Sequence, residues 1–345
     1  MSKTFIGQDE QERIFLESFA SGRLHHAWLL SGPKGVGKAG FAKRAGLFLL
    51  DQVEGAGPEE EQDGGGLFGD ALPAITPAPK GFASALGSQA QHLVEAGTHP
   101  EYHLLEPLVK EKTGELARNI AIHQVRDLIQ SLTGTPTIAH YRVCIVDAID
   151  DLERSAANAL LKTLEEPPRD TIFFLVSHAP GRLLPTIRSR CRSLRFAPLS
   201  DVMMADWIGE EAPHLDDNDR AALIRMAKGS PGRALETLGL ELGELVQQMQ
   251  RIIDEGDPDN SKRHALAKAL ALKAARPRYE AMLELAPELA ARWCKGQQGP
   301  ALAHGLSTWE KLRDLTQFAL SGSYDVSMTA YEAGTLLAGL AHRPR

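Results

Sequence analysis

Ala27-Trp28-Leu29-Leu30-Ser31-Gly32-Pro33-Lys34-Gly35-Val36-Gly37-Lys38-Ala39 is the stretch that decides the fold of this chain. The apolar run at its start reads as a buried strand. After the strand comes the phosphate-loop pattern of Gly32, four residues, then Gly37-Lys38, in which backbone N–H groups cradle phosphates and the lysine neutralises them. The full pattern closes on Ser or Thr, whose hydroxyl holds Mg²⁺, and here Ala39 stands in that place. Gly35 and Gly37 permit the tight backbone, and a helix from Phe41 to Leu50 offers its N-terminus to an anion. An anion site at Gly32, Gly35, Gly37 and Lys38 that handles Mg²⁺ poorly is the expectation. A ligand-free Gly-rich turn and a vestigial loop are the other readings that the residues leave open.

Outward from the loop, Phe5 to Leu50 has the order helix, strand, loop, helix. Asp51 to about Gly97 then turns rich in Gly, Pro, Ala and acidic residues, with Pro58-Glu59-Glu60-Glu61 and Gly64-Gly65-Gly66 as extremes, and predicts a poorly ordered insertion. Regularity resumes with a short strand near His99–Leu105, a helix over Ile122–Ile129, and a second buried strand, Tyr141–Asp147, ending in a carboxylate. A helix follows from about Ser155, read as its cap, to Glu166, stopped by Pro167-Pro168, and then a strand from Thr171 to Val176. Strands alternating with helices predict an α/β fold, a parallel sheet covered on both faces with the phosphate loop at the carboxyl end of its first strand. Beyond Phe196-Ala197-Pro198 the pattern is helical to the end, broken at Gly229-Ser230-Pro231-Gly232 and Asp257-Pro258-Asp259. The expected domains are a core over 1–198 with the insertion near 51–97, a small helical domain over 199–240 and a larger one over 241–345.

A chain of 345 residues with 43% hydrophobic content is long enough for more than one core. Its net charge of −7 provides no global field toward nucleic acid, so any DNA contact is expected from a local patch or from partner subunits. Cys144, Cys191 and Cys294 are widely spaced and odd in number, which predicts a reducing compartment and neither a disulfide framework nor a metal cluster. With no apolar signal region and no run of membrane-spanning length, a cytoplasmic protein without a membrane role is expected.

Asp147 stands where a P-loop ATPase places the carboxylate that holds Mg²⁺. The residue that polarises the attacking water is commonly a Glu directly after it, and here it is Ala148. Asp150 and Asp151 lie close by, and read first as acids at a helix N-terminus. Ala39 and Ala148 together predict a protein that does not turn over ATP. His25-His26 and the pair His99 and His103 lack the further ligands that a closed metal site needs.

Ser155-Ala156-Ala157-Asn158-Ala159-Leu160-Leu161-Lys162-Thr163-Leu164-Glu165-Glu166-Pro167-Pro168, with Leu183-Leu184-Pro185-Thr186-Ile187-Arg188-Ser189-Arg190-Cys191 after it, resembles the bacterial DNA polymerase III clamp loader, an assembly of AAA+ subunits. The resemblance covers about residues 5 to 235 and implies an AAA+ P-loop core, a helical lid over 199–240 and a helical collar over 241–345. It matches Ser189-Arg190-Cys191 to the family's signature, whose Arg reaches into the neighbouring subunit's ATP site, so Arg190 is the expected finger in trans, with Arg188 and Arg192 as flanking competitors. It likewise implies sensor positions at Ser177 and Arg233 around a degenerate nucleotide site that includes Asp147. With the signature kept and the hydrolytic residues gone, the chain is most similar to the structural subunit of that assembly, which is not itself a catalytic ATPase. Implied partners are the gamma/tau motor subunits and the delta subunit, and, through the complex, the sliding clamp and primed DNA. No cofactor is required, and ATP or ADP in the loop is left open. Relatives often carry a cysteine-built zinc module between the loop and the second strand; this chain has no cysteine between Leu50 and Val143, so no zinc is expected. The rival readings are an active AAA+ ATPase of replication or repair and a P-loop protein that holds ATP only structurally.

Overall fold

The computed structural model describes residues 7–52, 81–109, 117, 119–322 and 324–341. It divides into two compact units, Met1–Pro198 and Leu199–Arg345. The first contains α1 (Asp9–Ala20), β1 (Ala27–Ser31), α2 (Lys38–Leu50), α3 (Gln89–Glu95), β2 (Tyr102–Leu105), α4 (Ile122–Ser131), β3 (Arg142–Asp147), α5 (Arg154–Glu165), β4 (Thr171–Ser177), α6 (Pro185–Arg188) and β5 (Arg192–Arg195). Among the described residues the strands make one parallel sheet in the order β2-β3-β4-β1-β5. Parallel neighbours need crossovers, and the helices that supply them cover both faces.

Alternation along each strand sorts the core into two layers. Trp28 and Leu30 point to one face with Val143, Ile145 and Phe174, where Phe15 of α1 and Phe41 and Phe48 of α2 cover them. Ala27 and Leu29 point to the other with Cys144, Val146, Phe173 and Leu175, beneath Val125 and Leu128 of α4 and Leu160 and Leu164 of α5. Phe15 sits at the centre of the first layer, its ring centroid 5.2 Å from Trp28, 5.6 Å from Phe82 and 5.7 Å from Phe174. Each such side chain contributes about 1.5–3 kcal/mol on full burial.

Part of the poorly ordered insertion expected over 51–97 is regular structure, residues 81–97. Residues 53–80 lie outside the described residues. From Gly81 the chain is built into the core: Phe82–Ala85 form a 3-10 turn, Phe82 is 1% exposed against Phe15, Phe41 and Phe48, and the Glu12 carboxylate accepts the Phe82 N–H at 2.8 Å. α3 comes next, with the Ser88 hydroxyl accepting from the Gln91 N–H as its cap. One aromatic in a window of small residues scarcely alters a compositional average, yet it fills the gap between α1 and α2. α5 also departs from expectation. It begins one residue before the expected Ser155 cap, because the Glu153 N–H is held by the Ile120 carbonyl and the helix starts directly after that tie. β5 has no counterpart among the expected strands: its four residues read Arg-Ser-Leu-Arg, and only Leu194 is buried, as suits a charged edge strand.

The second unit contains α7 (Asp201–Glu211), α8 (Asp217–Ala227), α9 (Pro231–Thr237), α10 (Leu242–Glu255), α11 (Ser261–Leu270), α12 (Arg276–Cys294), α13 (Gly299–Ser321) and α14 (Val326–Gly339), with no strand among its described residues. α10 buries Leu242, Leu245, Val246, Met249, Ile252 and Ile253, an apolar stripe at helical spacing. The buried Asp257 carboxylate starts α11, accepting the backbone N–H groups of Lys262 and Arg263 while pairing with the Arg263 guanidinium.

Candidate functional site

β1, β3 and β4 all end at the carboxyl edge of the sheet, where an open α/β fold places its ligands. After Ser31 the chain passes through Gly32, Gly35 and Gly37, all at positive φ, and enters α2 at Lys38. A Cβ on Gly32 would lie 2.2 Å from the Phe196 carbonyl oxygen, so only glycine fits between β1 and the chain leaving β5.

Lys38 is 2% exposed, and its Nζ donates to the carbonyls of Gly32, at 2.7 Å, and Pro33. Burial brings its pKa from the usual 10.5 down to about 8, against the opposing pull of the Asp147 and Asp150 carboxylates. The ammonium that would neutralise a phosphate is thus bound to the loop's own backbone. α2's N-terminus and Lys38 fit an anion. Ala39 provides no hydroxyl for Mg²⁺, and Ala148, 2% exposed behind Asp147, provides no carboxylate to polarise a water. The loop therefore matches a phosphate in charge and lacks the hydroxyl at 39 and the carboxylate at 148.

Asp150 and Asp151, expected as acids at a helix N-terminus, lie in the first turn of a short 3-10 helix, Ile149–Asp151, ahead of α5. Asp150 acts as a tie between strand ends: one carboxylate oxygen accepts the Ser177 hydroxyl at 3.0 Å, the other the His178 N–H. Ser177 is the last residue of β4 and fully buried, so its hydroxyl is engaged by Asp150. His178 faces Lys38, Asp147, Asp150 and Asp151. Burial, and secondarily the Lys38 charge, push its pKa down, while burial and the acidic neighbours push that of Asp151 up. No sequence signal marks His178, because its role depends on which strand ends become neighbours. His25 and His26 stack on one another at 4.5 Å, and His99 is buried with Nδ1 3.6 Å from the Glu101 carboxylate.

Gly32, Gly35, Gly37, Lys38, Asp147 and Ser177 therefore share one edge. Arg190 does not share it. It lies in the turn before β5, and because β5 runs parallel to β1 with Arg192 opposite Trp28, that turn is at the amino edge. At about 3.3 Å per residue, it stands on the order of 10 Å or more from the loop along the strands. Its Nη2 pairs with Glu165 Oε1 at 2.7 Å, its Nη1 donates to the Thr186 carbonyl at 2.8 Å, and the side chain remains 34% exposed. Arg192 is engaged elsewhere, donating to the Ser18 hydroxyl at 2.9 Å with its guanidinium 4.9 Å over the Trp28 ring. Arg188 is exposed and lines a groove of about 550 Å³ with Leu29, Ser31, Pro185 and Ser193. Arg233 belongs to the second unit, near the start of α9, where its guanidinium pairs with Glu284 of α12.

A parallel sheet of this strand order, with a phosphate loop after β1 and a carboxylate at the end of β3, defines the core of a P-loop AAA+ protein. The family model described as "DNA polymerase III, delta subunit" matches residues 82–200. The chain is 33% identical over 248 residues to DNA polymerase III subunit delta' of Pseudomonas aeruginosa, covering 71% of this chain and 64% of that protein. It is 34% identical over 218 residues to the delta' subunit of Escherichia coli, covering 63% and 56%. To DNA polymerase III subunit tau/gamma of Haemophilus influenzae it is 27% identical, covering 69% and 30%. The matches thus span less than two thirds of the relatives' own lengths. Over the matched residues this chain is a homologue of the DNA polymerase III delta' subunits. Among its described residues no helix is long and apolar enough to cross a membrane.

Proposed function

We propose that this chain acts as a delta' component of a cytoplasmic bacterial clamp loader, itself silent as an ATPase, and presents Arg190 to the ATP of a neighbouring gamma/tau motor subunit while the sliding clamp is placed on primed DNA. In this reading residues 199–240 form the lid and 241–345 the collar that joins the delta and motor subunits, and no bound cofactor, zinc included, is required. ATP or ADP at the loop would serve structure alone. One observation carries the proposal. The signature arginine is kept, partly exposed and at the opposite edge of the sheet from its own loop, while Ala39 and Ala148 stand where that loop would manage Mg²⁺ and water. A guanidinium so placed serves another molecule's phosphates. Facing charge on a transferring phosphoryl group, such a residue contributes about a thousandfold or more to the rate.

The test is hydrolysis by assembled complexes at matched composition. Arg190→Ala is expected to leave assembly intact and to slow clamp- and DNA-stimulated ATP hydrolysis strongly, with Arg190→Lys recovering part, since an ammonium keeps the charge without the paired planar donors. The isolated chain is expected to show no turnover above that of Lys38→Ala. Wild-type hydrolysis by complexes carrying Arg190→Ala, or robust turnover by the isolated chain that Lys38→Ala abolishes, refutes the reading.

A further inference from the structure

Three arginines lie within five residues, at 188, 190 and 192, and the structure treats them differently. Arg192 is tied to α1 and Trp28. Arg188 is exposed, and its side chain makes no hydrogen bond or ion pair among the described residues. Arg190 alone is both held and available. Glu165 Oε1 and the Thr186 carbonyl fix its two terminal nitrogens from two different elements, the last residue of α5 and the helix α6. The Nε hydrogen and the second Nη2 hydrogen have no partner among the described residues, so donors remain for an incoming anion.

The pair does little for the fold. Its partners are 34% and 42% exposed, a setting in which ion pairs contribute almost nothing to stability. The turn itself is already fixed by backbone bonds from Ser189 to Pro185 and from Arg190 to Ile187. What the pair does restrict is a long side chain whose rotamer freedom would otherwise be lost only on reaching the phosphate. α5 is well suited to hold it, since Leu160 and Leu164 anchor the helix in the core and leave Glu165 at its exposed end.

We infer that Glu165 is the positioning residue for Arg190, holding the guanidinium extended at the surface so that it meets the neighbouring subunit's phosphates preorganised. This rests on the function proposed above. Glu165 touches no substrate, so its removal slows the chemical step and leaves ATP affinity unchanged. The expected loss of kcat for Glu165→Ala is about three- to tenfold, the scale of partial loss of orientation and far less than the loss of the guanidinium itself. Glu165→Gln retains an oxygen that accepts from Nη2 and is expected to stay within about twofold of wild type.

The experiment measures kcat and KM for ATP in assembled complexes containing wild-type chain, Glu165→Ala, Glu165→Gln, Arg190→Ala or the double Ala variant, with assembly and thermal unfolding checked for each. Support consists of a lower kcat at unchanged KM for Glu165→Ala, rescue by Glu165→Gln, and a double variant no slower than Arg190→Ala alone, the non-additivity that two residues acting as one unit require. Three results overturn the inference. Glu165→Ala at or above the wild-type rate while Arg190→Ala is slow makes the pair a surface contact or a restraint. An equal further loss from Glu165→Ala in the Arg190→Ala background makes Glu165 structural. A wild-type rate for Arg190→Ala removes the finger and, with it, the function proposed above.

Discussion

Replacing Lys38 by Met converts the buried ammonium into a measurable pH dependence. The lysine titrates near 10.5 when unfolded and at about 8 in the native loop. At about 1.4 kcal/mol per pH unit, that displacement corresponds to about 3 kcal/mol. Between pH 8 and 10.5 the unfolded chain holds a proton that the native chain has released, so unfolding becomes harder as pH rises through this window. The stabilising contribution is complete above 10.5 and is lost as pH falls through 8. Burial pushes the thiols of Cys144, Cys191 and Cys294 up, and these work in the opposite direction: the unfolded chain loses their protons first, so stability falls as pH rises past 9. They are present in both proteins, so the difference between wild type and Lys38→Met isolates the lysine. The variant also lacks the bonds to the Gly32 and Pro33 carbonyls, a cost independent of pH that displaces the whole curve. Urea unfolding of both proteins at intervals from about pH 7 to 10.5 is expected to show wild type gaining up to about 3 kcal/mol on the variant, most of it above pH 8. Parallel curves across that range refute the assignment of a buried, self-bound lysine.

Phe82→Ala is expected to cost about 3–5 kcal/mol, seen as a large fall in melting temperature, because the ring packs on Phe15, Phe41 and Phe48; a change of under about 1 kcal/mol would return residues 81–97 to a peripheral insertion. Gly32→Ala places a methyl against the Phe196 carbonyl and is expected to destabilise by about 1–3 kcal/mol in denaturant titration, whereas Gly22→Ala, at positive φ with nothing within 4 Å, bears only the backbone strain. Asp150→Ala leaves the buried Ser177 hydroxyl and the His178 N–H without their acceptor, for an expected loss of about 1–3 kcal/mol, and Asp150→Asn recovers part of it.

Much of the core was legible because its signals are local. A strand running into Gly32–Lys38 and then a helix declares a phosphate loop, and the apolar runs at 27–30, 143–146 and 172–176 all form interior strands buried on both faces. The elements that the residues leave unmarked or mark wrongly lack such signals. β5 has one inward residue, and its pairing with β1 supplies what its sequence does not. Phe82 is a lone aromatic whose partners lie on α1 and α2. Asp150 reads as a helix-start acid, and only the neighbouring end of β4 makes it also the acceptor for Ser177.

The candidate site divides along the same line. Residue identity by itself determined that the loop has glycines and a lysine but no hydroxyl at 39 and no carboxylate at 148, since a missing functional group is missing in any fold. Spacing alone left three arginines around Ser189 open, and the resemblance of Ser189-Arg190-Cys191 to the family signature picked out Arg190. Tertiary structure gave Arg190 and Arg192 different partners, because pairing depends on where Glu165, Ser18 and Trp28 arrive from distant parts of the chain. The parallel order of the sheet then set Arg190 at the edge away from Lys38, and direction along a strand is a property of how strands pair, which the residues of one strand do not contain.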